Sequence, residues 1–331
     1  MTNSTNRRRM LKATAALVLA ATAVPSVALA ARSLRWGSSS LGSSGYTILE
    51  ALSNVTSKYT DLKGAVQATA GTTENFVLMH RDELDIAHTT SLDWVNAKAG
   101  AKPFPGVIEA NQLLSYVQWK WPILVKESSD IMTWEDLRGR TYSPSKPGSG
   151  AATASKVLFE AAGMTDDIKY VYGAWGEVYD NFGLGQVDAV YGIFTNGFPA
   201  GVVAKAEAAN KLRPIEFPLE VLQAANAANA GILVSELTPE TWPSLDRAIN
   251  VPALAGILGA DTIVTAEEGY AITKAVLDNA EEVRGFGKAL GGVSPKSAVG
   301  GLLVGHPVNE GAAQYYKEMG IWRDDLTIAM S

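Results

Sequence analysis

Apolar residues follow two different spacings along this chain, and the changes between them divide it into repeated strand, loop and helix units. Short runs with strand character occur at 34–37, 65–71 and 84–90, and small polar residues follow each of them. Between these runs the spacing is helical, as at 47–58, where apolar residues recur every three or four positions. Such units predict an α/β fold with mainly parallel sheets, which bind ligands at the carboxyl ends of their strands.

Two longer extended segments predict that the chain passes between two lobes. These segments are Leu113–Lys126 and Asn250–Ile263, and each is apolar over most of its length. Two crossings make the first lobe discontinuous in sequence. We therefore expect one lobe from residues 31–126 plus 251–331 and a second lobe from residues 127–250, each with a sheet flanked by helices.

The loop Ser143–Thr153 is the first candidate binding element. It follows a short predicted strand and precedes a helix over 154–162 that ends at Gly163. The first N–H groups of a helix have no partner within it, so this loop favours a carboxylate or another small anion. No Lys-Ser/Thr pair follows its glycines, which excludes a phosphate P-loop. The alternative is a solvated turn with a serine cap.

Small and polar residues before two other helices suggest the other side of a binding site, opposite the loop Ser143–Thr153. The serine-rich loop Gly37–Tyr46 precedes the helix 47–58, and its glycine spacing does not fit the dinucleotide fingerprint. Asn75 lies in the first turn of a helix that begins near Thr72, where its amide can donate and accept hydrogen bonds. Its alternative role is that of a solvated residue at a helix start.

The N-terminus indicates export. Adjacent arginines at Arg7-Arg8 precede an apolar run at 13–23 and an A-x-A cleavage site at Ala28-Leu29-Ala30. These features predict a twin-arginine type signal peptide over residues 1–30, cleaved near Ala30. The apolar run is too short for a membrane span. We therefore expect a soluble periplasmic protein.

Composition excludes several classes of function. The signal segment holds four of the 28 basic residues, so the mature chain has 24 basic against 34 acidic residues and a net charge near −10. This charge does not suit a nucleic acid or an anionic membrane surface as partner. Cysteine is absent, which excludes disulfides, thiolate metal sites and thiol catalysis.

An exported enzyme is the competing class. Only His80, His88 and His306 are available, and none has metal-site spacing to carboxylates. Ser149 does not stand in a G-x-S-x-G elbow. The sequence therefore predicts a protein without catalytic residues, metal or cofactor. Trp119 and Trp121 share one face of the crossing segment, where we expect them to pack near the hinge.

Pieces spread in order along the mature chain resemble the TAXI-type solute receptors of TRAP (tripartite ATP-independent periplasmic) transporters. The matching pieces are Gly37–Tyr46, Ala70–Asn75, Leu84–Ala87, Thr133–Arg140, Pro147–Gly150, Leu158–Met164, Gly185–Ala189, Tyr270–Val276, His306-Pro307 and Ala313–Lys317. The resemblance implies a type II periplasmic-binding-protein fold that closes on a small acidic solute such as glutamate or 2-oxoglutarate. It also implies delivery of that solute to a TRAP permease in the membrane.

The loops, together with this resemblance, give a predicted ligand-binding set drawn from both lobes. Ser149, Gly150, Ala151 and Thr153 would hold the carboxylate. Residues of the first lobe would complete its hydrogen bonds, namely Ser39, Ser40, Tyr46 and Asn75. Trp175 and Phe194 would cover the solute, and Asn196, with Trp175, would tune selectivity. The alternative is a receptor of an ABC importer for another small anion such as a sulfonate, which has the same architecture.

Overall fold

The computed structural model describes residues 32–330. The predicted signal peptide, residues 1–30, lies outside the described residues. Within residues 32–330, no helix is long and apolar enough to cross a membrane.

Strands and helices alternate over most of the described chain. The helices are α1 (Ser44–Tyr59), α2 (Thr72–His80), α3 (Ser91–Ala99), α4 (Gly150–Ala161), α5 (Trp175–Gly183), α6 (Gly201–Ala209), α7 (Leu219–Ala228), α8 (Ala266–Asp278), α9 (Ala280–Gly285), α10 (Pro295–Gly300) and α11 (Glu310–Glu318). The strands are β1 (Ser33–Gly37), β2 (Lys63–Gln67), β3 (Ile86–Thr90), β4 (Asn111–Lys120), β5 (Ile123–Lys126), β6 (Thr141–Ser143), β7 (Lys169–Tyr170), β8 (Ala189–Tyr191), β9 (Phe194–Thr195), β10 (Phe198–Pro199), β11 (Leu212–Ile215), β12 (Leu233–Leu237), β13 (Ile249–Ala260), β14 (Pro307–Val308) and β15 (Thr327–Ile328).

The strands form two sheets with helices packed on them. The first sheet has the order β10-β9-β4-β13-β3-β1-β2, with β12 beside β13 and with β14 and β15 beside β4. The second sheet has the order β11-β5-β8-β6-β7. This arrangement confirms the predicted α/β fold of the periplasmic-binding-protein type.

Both sheets are mixed, so the expectation of mainly parallel sheets was wrong. Strands β1, β2 and β3 are parallel, as are β6, β7 and β8. The long strands β4 and β13 run antiparallel to each other, and β13 is also antiparallel to β3 and β12. No single strand–helix–strand crossover, the connection that keeps strands parallel, joins β4 to β13, because residues 121–248 lie between them, and β12 precedes β13 as its antiparallel partner.

The chain changes sheets at more places than the two that the sequence predicts. The first change is at Trp121-Pro122, between β4 and β5, within the predicted crossing Leu113–Lys126. The predicted crossing Asn250–Ile263 is instead occupied by β13, which stays within the first sheet. Strands β9, β10 and β12 also belong to the first sheet, although they lie within residues 127–250. The lobe boundaries at 126 and 250 stay a prediction.

Close packing of β13 on β4 fixes the centre of the first sheet. Gly256 lies opposite Val117 in the register, at a shift in the pairing. A Cβ atom at Gly256 would lie 2.3 Å from Val117 Cγ1 and 2.5 Å from the Trp119 ring. Both side chains are buried, so neither has free space into which to retreat.

We expect Gly256→Ala to lower the free energy of unfolding by about 1–3 kcal/mol, because the added methyl overpacks this contact. Urea-induced unfolding would measure the change. Gly183→Ala is the matched control, since Gly183 is the last residue of α5 and a Cβ atom there would meet no other part of the chain within 4 Å. A Gly256→Ala variant as stable as the native protein would contradict the close packing.

Candidate functional site

The beginnings of four helices meet at one cavity between the two sheets. Ser43, Gly71, Thr90 and Ser149 are the N-cap residues of α1, α2, α3 and α4, and all four line this cavity. The space open to the centre of a water-sized sphere there is about 40 Å³. Each helix start contributes roughly half a positive elementary charge from its unpaired N–H groups. The cavity is therefore positive without any cationic side chain.

Serine caps set the exact start of the two longest of these helices. The Ser43 hydroxyl accepts a hydrogen bond from the Tyr46 N–H at 3.1 Å, and the Ser149 hydroxyl accepts one from the Ala152 N–H at 3.1 Å. The cap at Ser149 starts α4 at Gly150, four residues before the predicted start. The predicted loop residues Gly150–Thr153 therefore form the first turn of the helix.

Chain segments from the two sheets come into direct contact beside the cavity. The Glu74 N–H donates to the Gly148 carbonyl at 3.0 Å, and the Thr73 and Thr153 hydroxyls lie 3.0 Å apart. Gly71 has a φ of 138°, and a Cβ atom there would lie 3.2 Å from Ser149 Cα. A glycine is required at this position because of its backbone conformation and because of this close approach.

Aromatic rings form the remaining walls. His88, Trp119, Trp121 and Trp175 line the cavity and are at least nine-tenths buried. The His88 and Trp119 rings are 5.1 Å apart edge to face, and the Trp119 and Trp121 rings are 6.3 Å apart. The Trp121 indole N–H is buried and has no hydrogen-bond partner among the described residues. A buried donor of this kind gains most from an acceptor on a bound solute.

The lining residues carry no charge at neutral pH. Burial lowers the pKa of His88 to about 3, so its imidazole stays neutral. Its Nδ1 is hydrogen-bonded to the Tyr116 hydroxyl, which is also buried. No Asp, Glu, Lys or Arg is among the described residues that line this cavity.

Asp93 is a buried carboxyl directly behind the lining. Its oxygens accept hydrogen bonds from the Thr73 and Thr90 hydroxyls, each at 2.6 Å. A Cβ atom at Gly150 would lie 3.3 Å from Asp93 Oδ2, so the carboxyl adjoins the first turn of α4. Burial raises the pKa of Asp93 despite these hydrogen bonds. Asp93 therefore places a buried acidic group between the starts of α3 and α4.

Several predicted ligand residues meet at this cavity. Ser39 and Trp175 line it, and so do three residues of the α4 start, Ser149, Gly150 and Ala151. They come from both sheets, as the prediction required. Whether they bind a solute stays a prediction.

The other predicted residues lie outside the cavity lining. Asn75 is fully buried behind it, and its amide donates to the Ser38 and His88 carbonyls at 2.8 Å each. Through these two hydrogen bonds, Asn75 links the end of β1 to β3. Ser40 is also buried, with a hydroxyl that has no partner among the described residues. The Thr153 hydroxyl makes the contact with Thr73 described above.

Tyr46, Phe194 and Asn196 also lie outside the cavity lining, each in a different environment. Tyr46 is partly exposed on α1. Phe194 is fully buried and packs on the Trp242 ring at 5.2 Å. Asn196 has a φ of 48°, and its amide group donates to the Ala289 carbonyl at 2.7 Å and accepts from the Gln118 N–H at 3.1 Å. Asn196 thus ties the loop after β9 to two other segments.

Sequence reasoning missed part of the lining. Trp119 and Trp121 do pack together, in line with the expected packing role, but they also face the cavity. His88 and Thr90 lie in the last residues of the predicted strand 84–90 and Asp93 follows it, where ligand residues of α/β sheets gather. That position was the available signal for all three.

We expect the buried Asp93 carboxyl to make stability depend on pH. Because its pKa is raised on folding, the native state holds its proton to higher pH than the unfolded chain. The contribution is fully present below the unfolded pKa and is lost as pH rises towards the folded value. Relative to Asp93→Asn, the native protein should therefore lose stability from about pH 4 upward. Urea unfolding between pH 4 and 8 would measure this difference.

Asp85→Asn is the matched control, because the contribution of Asp85 to stability should change with pH in the opposite direction. Burial would raise the pKa of Asp85, but hydrogen bonds from Arg35 outweigh burial and lower it. Stability from Asp85 should therefore be present above its unfolded pKa and be lost on acidification. If Asp93→Asn had the same pH profile as the native protein, the raised pKa of Asp93 would be contradicted.

Comparison with known proteins agrees with this architecture. A protein of Bordetella bronchiseptica RB50 matches with a TM-score of 0.54 at 16% identity, over 89% of this chain and 90% of that one. A structure described as a periplasmic transporter matches with a TM-score of 0.53 at 14% identity, over 81% and 87%. The substrate binding protein of an amino acid ABC transporter has a TM-score of 0.48 at 10% identity, over 77% and 97%. The NMT1-like family matches residues 37–320, which is most of the sequence, and the chain belongs to this family.

Proposed function

We propose that this protein is a periplasmic receptor that binds a small organic anion in the cavity between its sheets and delivers it to an importer in the membrane. The observation that carries the proposal is that the N-cap residues of four helices line one cavity whose lining side chains are uncharged. Family membership and the periplasmic-binding-protein fold support it. The predicted signal peptide, residues 1–30, supports a periplasmic location.

The cavity favours a carboxylate or a sulfonate over a cation. Unpaired N–H groups at helix starts and the Trp121 indole N–H are all donors, and an anion has acceptors for them. A cationic solute would face four positive helix ends and no ionised carboxylate among the lining residues. The aromatic rings suit an apolar remainder of the solute.

The charge balance favours a single anionic group. Asp93 lies behind Gly150, and the lining has no cation to neutralise a second charge. A dicarboxylate such as glutamate or 2-oxoglutarate would have to leave its second carboxylate against aromatic rings, where desolvation is costly. A monocarboxylate or a sulfonate avoids that cost. We therefore prefer these to the dicarboxylates that the TAXI resemblance implies.

Closure follows from having donors on both sides of the cavity. Ser39, Ser43 and Gly71 belong to segments of the first sheet, whereas Ser149 and Gly150 begin α4 beside the second sheet. A solute that contacts both groups stabilises the arrangement in which they face each other. Binding is thereby coupled to a shape that a membrane partner can recognise.

The type of membrane transporter that receives the solute is a separate and more specific proposal. An ABC importer and a TRAP permease both use receptors of this architecture. The comparisons support the ABC importer better, because the matching family carries no TAXI assignment. The ordered TAXI-like pieces support the TRAP permease. An exported enzyme has less support, since a structure that this fold matches over most of both chains is described as a periplasmic transporter.

The energy source of solute uptake distinguishes an ABC importer from a TRAP permease. In cells or vesicles that contain the receptor with its membrane components, uptake through an ABC importer should stop when ATP is removed. Uptake through a TRAP permease should stop when the ion gradient is dissipated while ATP remains. The receptor should bind the solute without changing it, which mass spectrometry of the released solute would test.

We expect Trp121→Phe to weaken binding of the preferred anion about 10- to 100-fold, because a hydrogen bond to a charged group contributes about 1.5–3 kcal/mol. A thermal-shift screen of carboxylates, sulfonates and their neutral amides would identify the anion, and calorimetry would give its affinity. Binding of neutral or cationic compounds alone would overturn the proposal.

Trp134→Phe is the matched control for this variant. Trp134 is also buried with an indole N–H that has no partner among the described residues, but it lies outside the cavity lining and stacks on Phe159 at 5.1 Å. It should lower stability and leave the affinity unchanged. Equal loss of affinity in both variants would place the effect in folding and not in the cavity.

A further inference from the structure

A second pocket adjoins the cavity and shares part of its wall. Ser43, Ser44, Trp175 and Ile193 line both spaces. The second pocket has about 320 Å³ of space open to the centre of a water-sized sphere, against about 40 Å³ in the cavity. The two spaces are therefore neighbours across a thin wall of side chains, and the larger of them has no role in the proposed anion site.

The second pocket is mainly apolar. It lies between α1, the segment from β9 to α6, and the segment around residues 286–290. Its larger apolar side chains are Ile48, Ile193, Phe198, Val202, Phe286 and Leu290. Phe198 and Phe286 are each 43% exposed, although large apolar side chains are usually more deeply buried.

Two polar groups mark the inside and the rim of this pocket. The Thr195 hydroxyl lines the pocket, is 99% buried, and has no hydrogen-bond partner among the described residues. At the rim the Lys288 ammonium lies 5.4 Å from the centre of the Phe198 ring. An unpartnered hydroxyl beside exposed phenylalanines is typical of a surface that a ligand completes.

From this arrangement we propose that the second pocket holds the apolar tail of the solute, so that the preferred solute is an amphipathic monoanion. This inference rests on the proposed function and names its solute class. The anionic group sits at the four helix starts, and the tail passes the wall formed by Trp175 and Ile193. Fatty or aryl carboxylates and alkyl sulfonates have this chemistry.

The alternative occupants fit the pocket less well. A second anionic group would lose its hydration among Ile48, Val202 and Leu290. Lys288 is the one cationic side chain among the described residues that line the pocket, and it is exposed at the rim and not inside. A compact solute such as acetate would leave the pocket unfilled and Phe198 and Phe286 exposed. The tail of the solute is therefore the occupant that suits both the apolar lining and the continuity with the anion site.

Calorimetry with a series of straight-chain carboxylates from acetate to octanoate tests the inference. Affinity should rise about three- to fourfold per added methylene until the pocket is filled. Suberate, a dicarboxylate of the same length as octanoate, should bind at least tenfold more weakly than octanoate. Tighter binding of suberate would show that the pocket takes a second anionic group and would overturn the inference.

Val202→Trp should fill the pocket from α6 and leave the anion site intact. Octanoate should then lose at least tenfold in affinity, while the affinity of acetate or propionate should change less than twofold. Val234→Trp is the matched control, because Val234 is an exposed valine on β12 outside both spaces. Unchanged octanoate binding by Val202→Trp would contradict the tail pocket.

Phe286→Ala provides a second variant that should fold readily, since the side chain is 43% exposed. It should reduce the gain per methylene and leave short anions unaffected. The outcomes separate the two proposals. If no carboxylate or sulfonate of any length binds, the proposed function fails. If short anions bind but affinity is independent of length, only the tail pocket fails.

Discussion

The unpaired N–H groups at the starts of α1, α2, α3 and α4 are the constraint around which this protein is built. A helix cannot satisfy these groups itself, and here the N-cap residues of four helices line one cavity between two sheets. Serine caps accept a hydrogen bond from one of these N–H groups at α1 and from one at α4. What remains is a positive, donor-rich cavity that a small anion completes.

The surroundings of the cavity limit how much negative charge it can accept. His88 is held neutral by burial, and the walls are aromatic. Asp93 adds a buried acidic group directly behind the α4 start. The positive ends of four helices thus face the solute directly, and no arginine or lysine is among the described residues that line the cavity. The same uncharged walls adjoin the apolar second pocket. The apolar tail of a solute should therefore contribute to binding as well as its anionic group.

Local sequence was a good guide to individual elements and a poor one to their pairing. Helical spacing over 47–58 predicted most of α1, and the small polar residues after each early strand predicted the binding edge. The extended run 250–263 was indistinguishable in sequence from a crossing segment. It forms β13, whose antiparallel pairing with β3, β4 and β12 makes the first sheet mixed. Pairing depends on contacts between distant segments, which periodicity does not encode.

The sequence by itself determined the α/β fold, predicted the export signal, and marked the loop Ser143–Thr153 before a helix as a candidate anion-binding element. These features depend on composition, spacing and short-range capping, which act within a few residues. Only the tertiary structure decided which side chains share the cavity. It turned Asn75 inward to link β1 to β3, placed Trp121 in the lining, and brought Asp93 beside Gly150 from more than fifty positions away. The physical reason is that burial and partner geometry are set by how the sheets pack together, and not by any local pattern.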